Sequence, residues 1–409
     1  MANRTRDGTD ALGLGIESIE LLLLVAAVVA ILARRLRVPY SVGLVAAGIS
    51  LALLPFAPKI ELTSDLIFKV LLPPLIFEAA FYLHWKELRR DLPVILVLAS
   101  AGVLISAAAT AVGMHLIAGW QWTSALVFGL LIAATDPVSV IATFKEAGIT
   151  GRLRLLVEAE SLFNDGTAAV AFGIAVSFAV GQNLTRLDMG AALILTVGGG
   201  ILCGAAITGL LLLIAGRTDD HLVEITFTTV AAYGSFLLAE HLHLSGVLAT
   251  LTAGLILGSI GSLGTISARG REAVQAFWEY AAFVANSLVF LLIGMHEAHQ
   301  NFAGVWTAAL VAIVLVVAGR ALAIYPTCFL FSKSALRVTL AHQHVLFWGG
   351  LRGALALALA LGLPNEIARR NDIITITFAV VAFSMFVQGL TMTPLLRCVG
   401  ELPTSRSIS

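Results

Sequence analysis

Apolar residues run along this chain in long blocks. Stretches of about 17 to 28 residues, apolar on every side, are separated by short polar connectors, and each is long enough to cross a hydrocarbon core about 30 Å thick as a helix. Runs such as Leu21 to Ala30 and Leu310 to Ala318 lack the polar and apolar alternation that a closed barrel of about ten-residue strands requires. Helices satisfy their own backbone in lipid, so the pattern predicts an all-α polytopic membrane protein. About thirteen transmembrane helices are expected, at about 16–33, 38–55, 65–83, 92–118, 123–144, 153–180, 189–215, 221–240, 244–260, 273–295, 303–331, 338–362 and 372–397.

Two of these blocks are broken. Thr135-Asp136-Pro137 lies inside the fifth, and Gly349-Gly350-Leu351-Arg352-Gly353 inside the twelfth. Proline removes a backbone donor and clustered glycines weaken a helix, so each break leaves backbone groups that need partners at membrane depth. An odd offset between the two reverses direction through the bilayer. The expected plan is therefore two inverted six-helix repeats, at about 16–180 and about 221–397, joined by a connector at about 189–215. Residues 1–409 then form a single transmembrane domain with no C-terminal regulatory domain.

Composition narrows the class further. With 59% hydrophobic and 12% charged residues, the chain has too little polar surface for a water-soluble fold of this size, and lipid must be its solvent. Lys and Arg balance Asp and Glu at 25 each, which offers nucleic acid nothing. Cys203, Cys328 and Cys398 lie in or at the edges of apolar spans with no CxxC spacing, so they read as core filler and support neither a disulfide nor a metal site; no cofactor is expected. The connector bases fall mostly on one set of ends, among them Arg34, Arg35, Lys86, Arg89, Arg90, Lys145, Arg152, Arg154, Arg269 and Arg271. That bias predicts a multi-pass protein of the cytoplasmic membrane with its N-terminus outside and its C-terminus in the cytoplasm. Trp85, Trp120, Trp122 and Trp306 stand at expected span ends, as an aromatic belt does. Lys69, Arg320 and Arg352 fall inside spans.

A charge at bilayer depth costs at least about 2.5 kcal/mol on the most lenient scale, so ionisable residues within the blocks mark function or pairing. These are Glu78, Asp136, Glu158, Glu160, Asp165, Arg320 and Arg352. On a helix, Ser161 and Asp165 are four apart and Asn164 is three from Ser161, so their oxygens share one face with Glu160 beside Asn164. The broken fifth span adds the Thr135 hydroxyl, freed carbonyls and the Asp136 carboxylate, giving the oxygen set a hard cation prefers. Asp165 is the acid expected to exchange a proton for a metal ion. Plainer roles stand beside these: ion pairing for Glu160 with Arg320 or Arg352, helix capping for Asp136, ion pairing for Glu78, and simple solvation at a span end for Glu158.

Ala134-Thr135-Asp136-Pro137, Glu160-Ser161-Leu162-Phe163-Asn164-Asp165, Gly349-Gly350-Leu351-Arg352-Gly353-Ala354 and Pro73-Pro74-Leu75-Ile76-Phe77-Glu78 together resemble the monovalent cation:proton antiporter family of bacterial NhaP-type and animal sodium/proton exchangers. The resemblance implies a thirteen-helix homodimer with a dimerisation domain and a mobile core, whose unwound spans 5 and 12 cross. It implies electroneutral exchange of one Na+, or Li+ or K+, for one H+. It makes Asp165 the carrier carboxylate, Ser161, Thr135 and Glu78 ligands of the transported Na+, Asn164 and Asp136 organisers, and Glu160 with Arg320 or Arg352 a structural ion pair. A K+/H+ antiporter on the same scaffold is the alternative. A cation channel favours pore-lining rings instead, and an intramembrane aspartyl enzyme needs a Gly-x-Gly-Asp that the sequence lacks.

Overall fold

The computed structural model describes residues 2–36, 38–55, 58, 60, 62–181, 186–215, 220–260, 268–298, 300 and 302–402. Among them there is no strand, and helices occupy the apolar blocks. In chain order they are α1 (Ala2–Leu36), α2 (Tyr40–Ala52), α3 (Leu72–Tyr82), α4 (Trp85–Val97), α5 (Val103–Leu116), α6 (Trp122–Leu131), α7 (Val138–Ala147), α8 (Arg152–Ala179) and α9 (Arg186–Ala215). Then follow α10 (His221–His241), α11 (Gly246–Ile260), α12 (Ala268–Glu297), α13 (Trp306–Leu330), α14 (Leu340–Trp348), α15 (Ala354–Leu361), α16 (Arg370–Phe383) and α17 (Leu390–Cys398). Seven helical stretches of the described residues are long and apolar enough to cross a bilayer, including α4 with α5 and α16 with α17. The chain is a multi-pass membrane protein.

Wider, π-helical turns precede α3 at Leu66–Leu71, join α4 to α5 at Leu98–Gly102 and join α16 to α17 at Ser384–Gly389. Before α3 the cause is local. Pro73 and Pro74 offer no N–H to the carbonyls four residues back, so the helix cannot keep its usual register there. The Val70 carbonyl, which Pro74 leaves without a donor, accepts the Tyr233 hydroxyl of α10 at 2.9 Å instead.

The helices pack as two bundles. One is built on α2 against α12 and α3 against α11, with α1, α9 and α10; the other groups α4, α5, α6 and α8 with α13 to α17. In the first bundle the backbones of α2 and α12 touch. A Cβ on Gly48 would lie 2.2 Å from the Leu291 carbonyl oxygen, and one on Gly294 2.2 Å from that of Val45. Only a residue without a side chain permits this approach.

The fold corrects two expectations. The span expected from about 92 begins at Trp85, so Lys86, Arg89 and Arg90 lie on a helix rather than in a connector. Trp120 is 2% exposed and packs on Phe128, so it belongs to the core; Trp85, Trp122 and Trp306 are exposed at helix starts, as a belt requires. Lys69 lies within the helical stretch that leads into α3, as expected, and pairs there with Asp65 at 2.9 Å on an exposed face.

Candidate ion-binding site

Two non-helical segments, 132–137 between α6 and α7 and 349–353 between α14 and α15, meet inside the second bundle. Each supplies what the other lacks. Arg352 Nη1 donates to the Ala133 carbonyl at 2.6 Å and the Ala134 carbonyl at 2.9 Å, and the Asp136 N–H donates to the Leu351 carbonyl at 2.8 Å. From α8, Asn164 Oδ1 accepts the Thr135 N–H at 3.2 Å, and the Ser161 hydroxyl donates to the Thr135 carbonyl at 2.5 Å. Asn164 Nδ2 reaches the Thr135 hydroxyl at 2.5 Å and Glu160 Oε1 at 3.2 Å. These freed backbone groups thereby find partners within the protein, as membrane depth demands.

Asp136 closes both breaks. Its carboxylate accepts the Val138 N–H, at 2.9 Å to Oδ1, and the N–H of Ala354, so one acid caps the first residues of α7 and of α15. The glycines of the second break make room for these charges. A Cβ on Gly353 would lie 2.0 Å from Asp136 Oδ2, and one on Gly350 2.5 Å from Arg320 Nε.

Glu160 of α8 pairs with Arg320 of α13 through two parallel bonds, 2.7 Å to Oε1 and 3.0 Å to Oε2. Arg320 also donates to the Leu346 carbonyl of α14 at 3.0 Å, so the fork joins three helices. Both side chains are buried, 7% and 2% exposed. Arg352 does not share in this pair and instead satisfies backbone carbonyls of the opposite break.

Asp165 lies one helical turn beyond Ser161. Its Oδ1 is buried with no hydrogen-bond partner, and its charged neighbours are Asp136, Glu160 and Arg352. It faces a cavity of about 620 Å³ between the bundles, walled by α1, α2, α3 and α12 on one side and by α7, α8 and α15 on the other. Helix-end residues Arg34, Tyr82, Lys145 and Arg154 line its mouth, and Asp165 lies at its deep end. A carboxylate oxygen with no donor on it can take up a proton or a hard cation.

The network thus gathers Thr135, Asp136, Glu160, Ser161, Asn164, Arg320 and Arg352, with Asp165 at its edge. Glu78 lines the same cavity nearer the mouth, 4.0 Å from Lys145, and its other charged neighbours are Glu158, Glu279 and Arg154. Glu158, expected to be solvated, is only 13% exposed and bonds Arg154 at 2.8 Å. Sequence reasoning misses Glu279, Phe283, Asn286 and Phe290 of α12, which line the cavity at spacings of four, three and four. That periodicity is present in the sequence, but it carries meaning only once the face is known to meet a cavity rather than lipid.

Residues 22–398 match the family model described as "Sodium/hydrogen exchanger, transmembrane". The chain belongs to the sodium/hydrogen exchanger family. This exchanger is 39% identical over 376 residues to a low-affinity Na+/H+ antiporter of Synechocystis, covering 90% of the chain and 71% of that relative. It is 39% identical over 366 residues to the Na+/H+ antiporter ApNhaP of Aphanothece halophytica, covering 89% of the chain and 70% of that protein. Its fold superposes on a sodium proton antiporter of Methanocaldococcus jannaschii with a TM-score of 0.75 at 21% identity, over 95% of this chain and 99% of the other. Membership makes the exchanger a transporter rather than an enzyme.

Proposed function

We propose that this exchanger trades Na+ for H+ across the cytoplasmic membrane, one for one and without net charge movement, by alternating access. Asp165 carries the proposal. It is a buried carboxylate with one oxygen free of any donor, at the deep end of a cavity between two bundles. Proton and Na+ compete for that oxygen, so binding one releases the other. The neutral, loaded site crosses between bundles, while the empty anion is held back by the cost of desolvating it.

Ser161 and Thr135 supply further oxygens to Na+, and Glu78 draws it in from the mouth. Asn164 and Asp136 fix the geometry, and Glu160 with Arg320, together with Arg352, holds the moving bundle intact. The cavity opens to the cytoplasm, because its mouth carries Arg34, Lys145 and Arg154. The protein works as a homodimer in the lipid bilayer and needs no cofactor. The test is reconstitution into vesicles with an entrapped pH dye, adding Na+, Li+ and K+ in turn with the membrane potential clamped and unclamped. Na+ is expected to move protons equally in both conditions. A response to K+ alone would overturn the choice of ion, and a response that follows the potential would overturn the stoichiometry.

A further inference from the structure

One acid with a buried oxygen has no part in the site described above. Glu297 is the last residue of α12, and its Oε2 is buried without a hydrogen-bond partner. Phe283, Phe290 and Glu297 follow one another at intervals of seven, so Glu297 stands on the helix face that lines the cavity. That face carries Glu279 in the cavity wall and ends, five turns later, at Glu297. At a rise of about 1.5 Å per residue, Glu297 lies about 10 Å beyond Phe290, on the side away from the cavity mouth. Phe290 and Ile293, each 1% exposed, fill the space between.

The same end of α12 is fastened to α16 of the other bundle. The His296 ring stacks on Phe378 with centroids 4.6 Å apart, and the Thr375 hydroxyl donates to Gln300 Oε1 at 3.0 Å just past the helix end. The contact is between bundles, at the end of α12 away from the cavity mouth. A half-buried carboxylate whose Oε2 has no donor carries a desolvation cost, and that cost is removed when the contact parts and water or a cation reaches this oxygen.

Resting on the exchange reading above, we infer that Glu297 is the cation-admitting carboxylate of the outer pathway, sealed in this conformation by the contact of α12 with α16. When the bundles shift, His296 leaves Phe378, Gln300 leaves Thr375, and Glu297 becomes the outer counterpart of the acids at the inner mouth.

Sided kinetics test this. Right-side-out vesicles present the outer face and everted vesicles the inner one, and 22Na+ uptake driven by a proton gradient is measured in both. Glu297→Gln should raise the half-saturating Na+ concentration by about tenfold in right-side-out vesicles, the lower end of the concentrating effect of a charged cleft. It should leave everted vesicles unchanged, and Glu297→Asp should restore the outer value. An equal rise on both faces, or none on either, overturns the inference while exchange itself stands. An unsubstituted protein inert in both preparations overturns the exchange reading and the inference with it. Independently of Glu297, Gln300→Cys with Thr375→Cys, bridged through two disulfides by a short bis-methanethiosulfonate, should stop exchange until a reductant cleaves the bridge. Undiminished exchange in the bridged protein would show that this contact does not part.

Discussion

Arg320 and Arg352 look alike in the sequence, each a lone guanidinium inside an apolar block, and the fold gives them different work. Arg320 closes a two-bond fork with Glu160; Arg352 donates to the Ala133 and Ala134 carbonyls. Removing Arg320 strands a buried Glu160 charge, a loss of about 3–5 kcal/mol. Arg320→Ala is therefore expected to lower the melting temperature markedly while the protein that survives keeps its Na+ affinity. Normal melting with weakened Na+ binding would contradict the structural role. The acids on α8 were legible from spacing alone, since Glu160, Ser161, Asn164 and Asp165 must fall on adjoining positions of one helix face. The choice of arginine was not legible: it depends on which helix lies beside α8, and no local pattern carries that information.

Among the elements, the two broken helices were evident from Pro137 and the glycine cluster, and so was the need for outside partners. What the pattern withheld was that each break is the other's partner, and that Asp136 caps two half-helices at once. Gly353 reads in the sequence as a helix breaker. In the structure its missing side chain is the space that the Asp136 carboxylate fills. Gly353→Ala thus forces that carboxylate off the α15 terminus, an overpacking cost of about 1–3 kcal/mol. Reduced thermal stability together with loss of exchange is the expected result, checked by melting and by vesicle assay; an alanine variant with unaltered transport would remove Asp136 from the organising role. Span ends were the least legible feature. Trp120 shows why: a tryptophan near a connector satisfies the belt pattern whether it meets lipid or, as here, the core beside Phe128.

For the whole molecule, each bundle draws on both halves of the chain: α1 to α3 with α10 to α12 in one, and α4 to α8 with α13 to α17 in the other, α7 bridging toward α2. Two inverted repeats would divide the chain in this way, and the proposed exchange would move the bundles against each other along the cavity between them. If proton and Na+ share one oxygen, acidifying both sides must slow exchange. The half-saturating Na+ concentration should climb by up to about tenfold for each unit of pH below the titration of the site, because protons then hold the carrier on both faces. Initial rates in vesicles across pH check this, and a half-saturation that stays flat would mean the two ions bind apart.

The proposed competition at Asp165 is open to direct measurement in purified protein held in weak buffer on the acid side of that titration. Adding Na+ should release close to one proton for each ion bound, and folded Asp165→Asn should release none. Na+ binding without proton release, or undiminished release from Asp165→Asn, would contradict the account.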